Sequence, residues 1–258
     1  MGDFMDKIIE TAKKISINSI KSFLKKLEID ENLLNEIYNI EIVVNNVSDN
    51  SDMEFDHENF KIIISPDYLA EITNDLLLNP SDDQPIKYLA KSLIHEMLHA
   101  NRTIDNLVVS EYYTSGNDLL DSINQKYNIT NDEKIEDTII SQRGFEESIT
   151  EVIALIIFLG RNSDDLCIDH ITERIRTRSS YNDDEKVAAL IVKDLGTDML
   201  KWFMTSTHTG KYHNYFKEAY GSNYEKLVHY VNSLYYNQKP DFATKAKAEV
   251  IITENKER

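Results

Sequence analysis

The chain has 258 residues, of which 41% are hydrophobic and 28% charged, so a packed core is expected, and this composition argues against wholesale disorder. Its formal net charge of −17 repels phosphate groups, which argues against nucleic acid and anionic membranes as partners. Cys167 is the only cysteine, which excludes an intrachain disulfide and a zinc site built from cysteines.

The predicted elements begin with helix and continue into a small sheet. Residues 4–37 repeat apolar side chains at helical spacing, which predicts one or two amphipathic helices. Two β-branched segments, 39–44 and 60–65, predict strands on either side of a polar loop over 45–57. A short helix is expected over 67–78.

The rest of the chain is predicted to be helical, with one polar interruption. A helix is expected from about Pro85 to Asn101. Residues 111–144 are polar and poorly periodic, which indicates an insertion or mobile flap, with one short helix around 119–127. An apolar helix follows over 145–159 and ends at Gly160. Further helices are predicted over 185–195, 197–205 and 224–234.

These elements predict an α+β protein that is predominantly helical. We expect an N-terminal lobe over 1–104, a polar insertion or flap over 105–143, a helical C-terminal lobe over 144–238, and a loosely held charged tail over 239–258. The N-terminus has no uninterrupted apolar run, and no segment approaches the roughly 18 apolar residues of a membrane span. The chain is therefore expected to be cytoplasmic, or secreted by a route without a visible signal peptide.

The helix predicted over 85–101 contains the sequence HEMLH, with His95 and His99 four residues apart. Residues at this spacing share one helix face, so both imidazoles can bind one ion. Zinc binds imidazole nitrogen and lowers the pKa of its bound water to about 7. Glu96 projects beside this site, where it can accept the water proton and pass it to a leaving amine. The pattern predicts one zinc ion per chain and a general base.

A catalytic zinc ion normally has three protein ligands, so a further ligand is expected elsewhere. The acidic sequence FEESITE opens the apolar helix over 145–159, and buried carboxylates need a positive partner such as a divalent cation. Glu147 and Glu151 share a face of that helix, so one can bind metal while the other orients a ligand histidine. Acidic residues also favour the N-terminal dipole of a helix, which leaves a purely structural role open.

Together the two motifs resemble those of the gluzincin zinc metallopeptidases, the group that includes thermolysin and anthrax lethal factor. The resemblance implies that His95 and His99 are the paired zinc ligands and that Glu96 is the general base. It implies that Glu147 is the third ligand and that Glu151 is the carboxylate hydrogen-bonded to a ligand histidine. It also implies a zincin-like fold, in which the small sheet packs on the active-site helix.

A different third ligand is possible. Metzincins, another group of zinc peptidases, continue the histidine motif through a glycine to a final His or Asp, and Asp105 occupies that final position. However, Arg102 replaces the glycine whose turn lets the chain fold back to the metal. The gluzincin resemblance has its own departure, because the 47 residues between His99 and Glu147 exceed the thermolysin spacing. The predicted flap would absorb them.

An oxyanion stabiliser, usually Tyr, His or Arg, is expected to face the polarised carbonyl of the substrate. We prefer Tyr181, which precedes the amphipathic helix predicted over 185–195. The other candidates are His208, Tyr212 and His213. The strand over 61–65 is a candidate for the cleft edge that pairs with an extended substrate.

The leading hypothesis is a zinc-dependent metalloendopeptidase, a hydrolase that cleaves a peptide or protein substrate by Glu-assisted attack of zinc-bound water. The alternative is a zinc-binding, non-proteolytic module of the same fold, either inactive or an interaction domain. A third possibility is a helical scaffold without metal. Glu96 favours the enzyme, because a structural zinc site has no use for a base beside the metal.

Overall fold

The structure is a computed structural model that describes residues 2–47, 51–56, 58–102, 132–205, 212–236 and 241–255. The described residues are mostly helical and include one small sheet, which confirms the α+β prediction. The chain divides into two compact units. Unit 1 comprises Met1–Asn101 and Ala154–Leu166, and unit 2 comprises Arg102–Ile153 and Cys167–Arg258.

Helix α1 (Gly2–Lys26) is joined by hydrogen bonds to two other parts of unit 1. The hydroxyl of Ser16 lies 2.8 Å from the carbonyl oxygen of Ala90, which ties α1 to the helix with the HEMLH sequence. The ammonium group of Lys13 donates to the carbonyl of Ile40, 2.8 Å away, just before the first strand. The apolar side of α1 is buried, with exposed fractions of 8% or less at Ile8, Ile9, Ala12, Ile20, Phe23 and Leu24.

A short 3-10 turn (Glu31–Leu34) and helix α2 (Asn35–Tyr38) lead into a three-stranded sheet. Its strands are β1 (Glu41–Val44), β2 (Met53–Asp56) and β3 (Lys61–Ile64), in the order β1-β3-β2. Strand β3 runs parallel to β1 and antiparallel to β2.

Strand β3 lies in the centre of this sheet. Ile62 faces Ile42 on β1 and Phe55 on β2, and the side chains of Ile62 and Ile64 are completely buried. The prediction that this strand forms the edge of a substrate cleft is therefore wrong, because both of its hydrogen-bonding sides are already paired. Strand β2 lies within the segment predicted as a loop.

Two helices complete this part of unit 1. Helix α3 (Pro66–Leu78) begins with proline, whose missing N–H costs nothing in the first turn of a helix. Helix α4 (Gln84–Arg102) contains the HEMLH sequence, as predicted. Its apolar residues Leu89, Ala90, Leu93, Ile94, Met97 and Leu98 have no exposed surface. A hydrogen bond between the side chains of Tyr68 and Ser92 joins α3 to α4.

Helix α5 (Asp132–Gly160) is longer than predicted and runs through both units. The apolar helix was expected to begin at Phe145, but it continues the helix that starts at Asp132. The segment 132–143 carries Ile135, Ile139 and Ile140 at helical spacing, but these few apolar residues end a long polar stretch, so the prediction missed the helix. The remainder of the predicted flap, including the short helix around 119–127, lies outside the described residues.

Unit 2 adds five helices in the described part of the chain, namely α6 (Ile168–Thr177), α7 (Asp183–Thr205), α8 (Tyr212–Tyr220), α9 (Tyr224–Tyr236) and α10 (Phe242–Asn255). Gly196 breaks α7 with φ of 62° and ψ of −149°, which agrees with two helices predicted on either side of it. Within the segment expected to form a loose tail, residues 242–255 instead form α10, because Ala248, Ile251 and Ile252 make a buried stripe at helical spacing. Among the described helices, none is long and apolar enough to cross a membrane.

Candidate metal centre

The two histidines of α4 converge. The Nε2 atoms of His95 and His99 lie 2.9 Å apart, and the ring centroids are separated by 4.6 Å at an interplanar angle of 69°. At this nitrogen–nitrogen distance one Nε2 atom can donate a hydrogen bond to the other, according to the tautomer of each ring. Both rings turn the same nitrogen toward one point, so two unprotonated Nε2 atoms there could bind a single ion.

The burial of α4 explains why these rings have little freedom. Met97 and Leu98, which lie between the histidines, are completely buried and fix the rotation of the helix. His99 is 4% exposed, whereas His95 and Glu96 are half-buried. Glu96 therefore keeps contact with solvent at a position adjacent to a ring that points toward His99.

A carboxylate from α5 completes a group of three potential ligands. One carboxylate oxygen of Glu147 and one ring nitrogen from each of His95 and His99 all lie within 4.8 Å of one another. Among the residues that the structure describes, this is the only such group of three or more His, Cys, Asp or Glu side chains. These are the three residues that the sequence predicts as metal ligands.

The position of Glu147 within α5 argues against a helix-dipole role for this residue. A helix dipole acts within the first turn of a helix, but Glu147 lies fifteen residues after Asp132, where α5 begins. Glu146 is 1% exposed and Glu147 is half-buried, so their charges are placed in the interior of a long helix. A cationic partner is the usual way to compensate such a carboxylate.

The donor set suits zinc better than it suits calcium or magnesium. Two imidazole nitrogens and one carboxylate oxygen form a set typical of catalytic zinc sites, which keep a fourth position open. Calcium and magnesium prefer sites made entirely of oxygen atoms. The residues present therefore suit a borderline-soft ion that binds nitrogen.

Among the other predicted residues, the side chains of Glu151 and Tyr181 lie in the described part of the chain. Glu151 is half-buried on α5, one helical turn after Glu147. Tyr181 is half-buried in the bend just before α7. Their proposed roles stay predictions. Asp105 and His208 lie outside the described residues, and for Tyr212 and His213 only the backbone is described, at the start of α8.

Sequence reasoning did not find Tyr235, on helix α9. A Cβ atom added to Gly144 would lie 2.7 Å from the Cβ of Tyr235, so α9 approaches α5 very closely just before Glu147. Burial and the negative charge of Glu147 raise the pKa of Tyr235 to about 12, so its phenol keeps its proton at neutral pH. In the sequence, Tyr235 is one of several aromatic residues of an amphipathic helix. Nothing in that pattern indicates that Tyr235 lies close to Gly144 on α5.

No protein-family model matches the chain, and no curated protein or solved structure shows significant similarity to it. The resemblance to gluzincins therefore depends on the residues of the two sequence motifs alone.

Proposed function

We propose that this chain is a zinc-dependent metallopeptidase that hydrolyses peptide bonds. The main support is the convergence of the His95 and His99 ring nitrogens with a carboxylate oxygen of Glu147, all within 4.8 Å. A zincin-like fold of the gluzincin type is part of this proposal. A mostly helical chain with a small sheet is compatible with such a fold.

In this proposal, His95, His99 and Glu147 hold one zinc ion. When bound, zinc supplies a Lewis acid that lowers the pKa of water to about 7 and polarises the substrate carbonyl. Glu96 accepts the proton of the attacking water and delivers it to the leaving amine. Glu151 accepts the second ring N–H of a ligand histidine, which fixes the tautomer and orientation of that ring.

The oxyanion that develops on the substrate needs a hydrogen-bond donor. Tyr181 is our first candidate for this donor. Tyr235 is a second candidate, because α9 approaches α5 closely at Gly144, three residues before Glu147. Either phenol would donate a hydrogen bond to the substrate oxygen and keep its proton, so that it stays neutral.

We propose a peptide or protein as the substrate, and no nucleic acid. With a net charge of −17, the chain repels polyanions and mildly favours neutral or basic peptides. A protein substrate also suits the general base, because release of an amine requires a proton that Glu96 can return.

Digestion of a broad peptide library tests this function. The zinc-loaded chain is expected to cleave a subset of peptides, detected as new termini by mass spectrometry. A zinc chelator such as 1,10-phenanthroline is expected to stop cleavage, and added zinc is expected to restore it. A chain that binds one zinc ion yet cleaves no peptide would instead be a non-proteolytic zinc-binding module.

A further inference from the structure

Two buried polar contacts flank Glu147 within unit 2. On one side, the hydroxyl of Ser148 lies 2.7 Å from Oδ2 of Asp184, in the first turn of α7. On the other side, the backbone N–H of Phe145 donates to Oδ1 of Asn232 on α9, at 2.8 Å. The exposed fractions are 2% for Ser148, 4% for Asp184 and 6% for Asn232. The segment with Glu147 is thus held from two other helices.

Burying the charged carboxylate of Asp184 at this position costs free energy. Burial raises the pKa of its carboxyl group, because the charged form loses its contact with water. Hydrogen bonds from the Ser148 hydroxyl and from the backbone N–H groups of Asp184 and Glu185 offset part of this cost. An apolar side chain would pack here with less penalty. The Ser148 hydroxyl also lies 2.7 Å from the carbonyl oxygen of Gly144, within α5. What the Asp184 carboxylate adds is a second acceptor for this hydroxyl, on another helix.

Gly144 allows the second contact. A Cβ atom at this position would lie 2.7 Å from the Cβ of Tyr235 and 2.8 Å from Oδ1 of Asn232. Real Cβ atoms almost never approach other atoms so closely, so only glycine lets the backbone of α5 come this near to α9. This approach brings the side chain of Asn232 within reach of the Phe145 N–H.

We propose that Asp184, acting through Ser148, is a positioning residue for Glu147, with Asn232 as the second anchor. The inference rests on the proposed function, in which Glu147 binds zinc. Side chains project about 6 Å from a helix axis, so a rotation of about 20° would move the Glu147 carboxylate by about 2 Å. A metal site tolerates errors of only about 0.5 Å. Anchors on both sides of Glu147 prevent that rotation.

The test compares Ser148→Ala and Asp184→Ala with a matched control, Ser19→Ala. Ser19 is 1% exposed, and its hydroxyl bonds to the carbonyl of Ile15 within α1. Zinc affinity is measured by competition with a chromophoric chelator, and ligand geometry by the visible absorption of the Co²⁺-loaded chain. Each variant at Ser148 or Asp184 is expected to bind zinc about 10- to 100-fold more weakly and to shift the Co²⁺ spectrum. Ser19→Ala is expected to change neither.

The double variant Ser148→Ala/Asp184→Ala shows whether the two side chains act on zinc affinity through one shared contact or independently. Because both substitutions remove the same hydrogen bond, the double variant is expected to lose no more zinc affinity than the more affected single variant. Should Asp184→Ala not fold, Ser148→Ala decides alone, since it removes only one hydroxyl.

Three results would overturn the proposal. Wild-type zinc affinity and Co²⁺ spectrum in Ser148→Ala would reject positioning while leaving the zinc site and its function intact. Weaker binding that follows a lowered unfolding temperature, with an unchanged spectrum, would make the contact purely structural. A wild-type chain that binds neither Zn²⁺ nor Co²⁺ would end this inference and the proposed function together.

Discussion

Replacement of Glu96 by glutamine is expected to abolish peptide hydrolysis while leaving about one zinc ion bound per chain. Glutamine keeps the size and shape of the side chain but cannot accept the proton of the attacking water. General acid–base catalysis contributes about 100- to 10,000-fold, so kcat/KM is expected to fall by at least about 100-fold. The measurement pairs the hydrolysis rate of a cleaved library peptide with the zinc content of the same sample.

Glu225→Gln is the matched control for this prediction. Glu225 is exposed in the first turn of α9, away from the HEMLH motif in the sequence, so its substitution is expected to leave kcat/KM unchanged. Substantial turnover in the Glu96→Gln variant would remove Glu96 as the general base. Loss of zinc in the same variant would give Glu96 a part in metal binding instead.

Replacement of Glu147 by alanine is expected to weaken zinc binding by more than about 100-fold. It removes one of three protein ligands, and even the residues behind the ligands typically contribute 10- to 100-fold. The dissociation constant for zinc is measured by chelator competition at constant pH, because metal binding releases protons. Glu225→Ala serves as the control and is expected to keep the wild-type value.

Asp105→Ala is the decisive comparison for the third ligand. If Glu147 binds the metal, this variant retains zinc. Sharp loss of zinc from Asp105→Ala, together with retention by Glu147→Ala, would select the metzincin-like arrangement. Equal retention by both variants would mean that neither carboxylate is the third ligand.

The part of the candidate site that lies on one helix, His95 and His99 on α4, could be predicted from the sequence for a physical reason. Residues four apart on a helix share a face, so the convergence of His95 and His99 follows from their spacing once α4 is recognised. Glu147 required more, because 47 residues separate it from His99 and no local rule connects them. Its choice depended on the family resemblance and on a buried acidic segment. Its proximity to the histidines is now a feature of the structure, whereas its binding of metal stays a prediction.

The features that the sequence did not predict depend on tertiary packing. Strand β2 has four residues, and only the burial of Met53 and Phe55 against β3 distinguishes it from its polar surroundings. Ser148 and Asp184 are 36 residues apart, and their hydrogen bond exists only because α5 and α7 meet. The position of Tyr235 likewise follows from the packing of α9 against Gly144. None of these contacts has a periodic signal in the chain.

Metal content is the most direct test of whether His95 and His99 hold an ion. The chain is purified without chelators, dialysed against metal-free buffer, and analysed by inductively coupled plasma mass spectrometry. We expect about one zinc ion per wild-type chain and none in the His95→Ala/His99→Ala double variant. A wild-type chain that contains no metal and takes up none from zinc-containing buffer would contradict the zinc centre, as would a double variant that keeps its zinc.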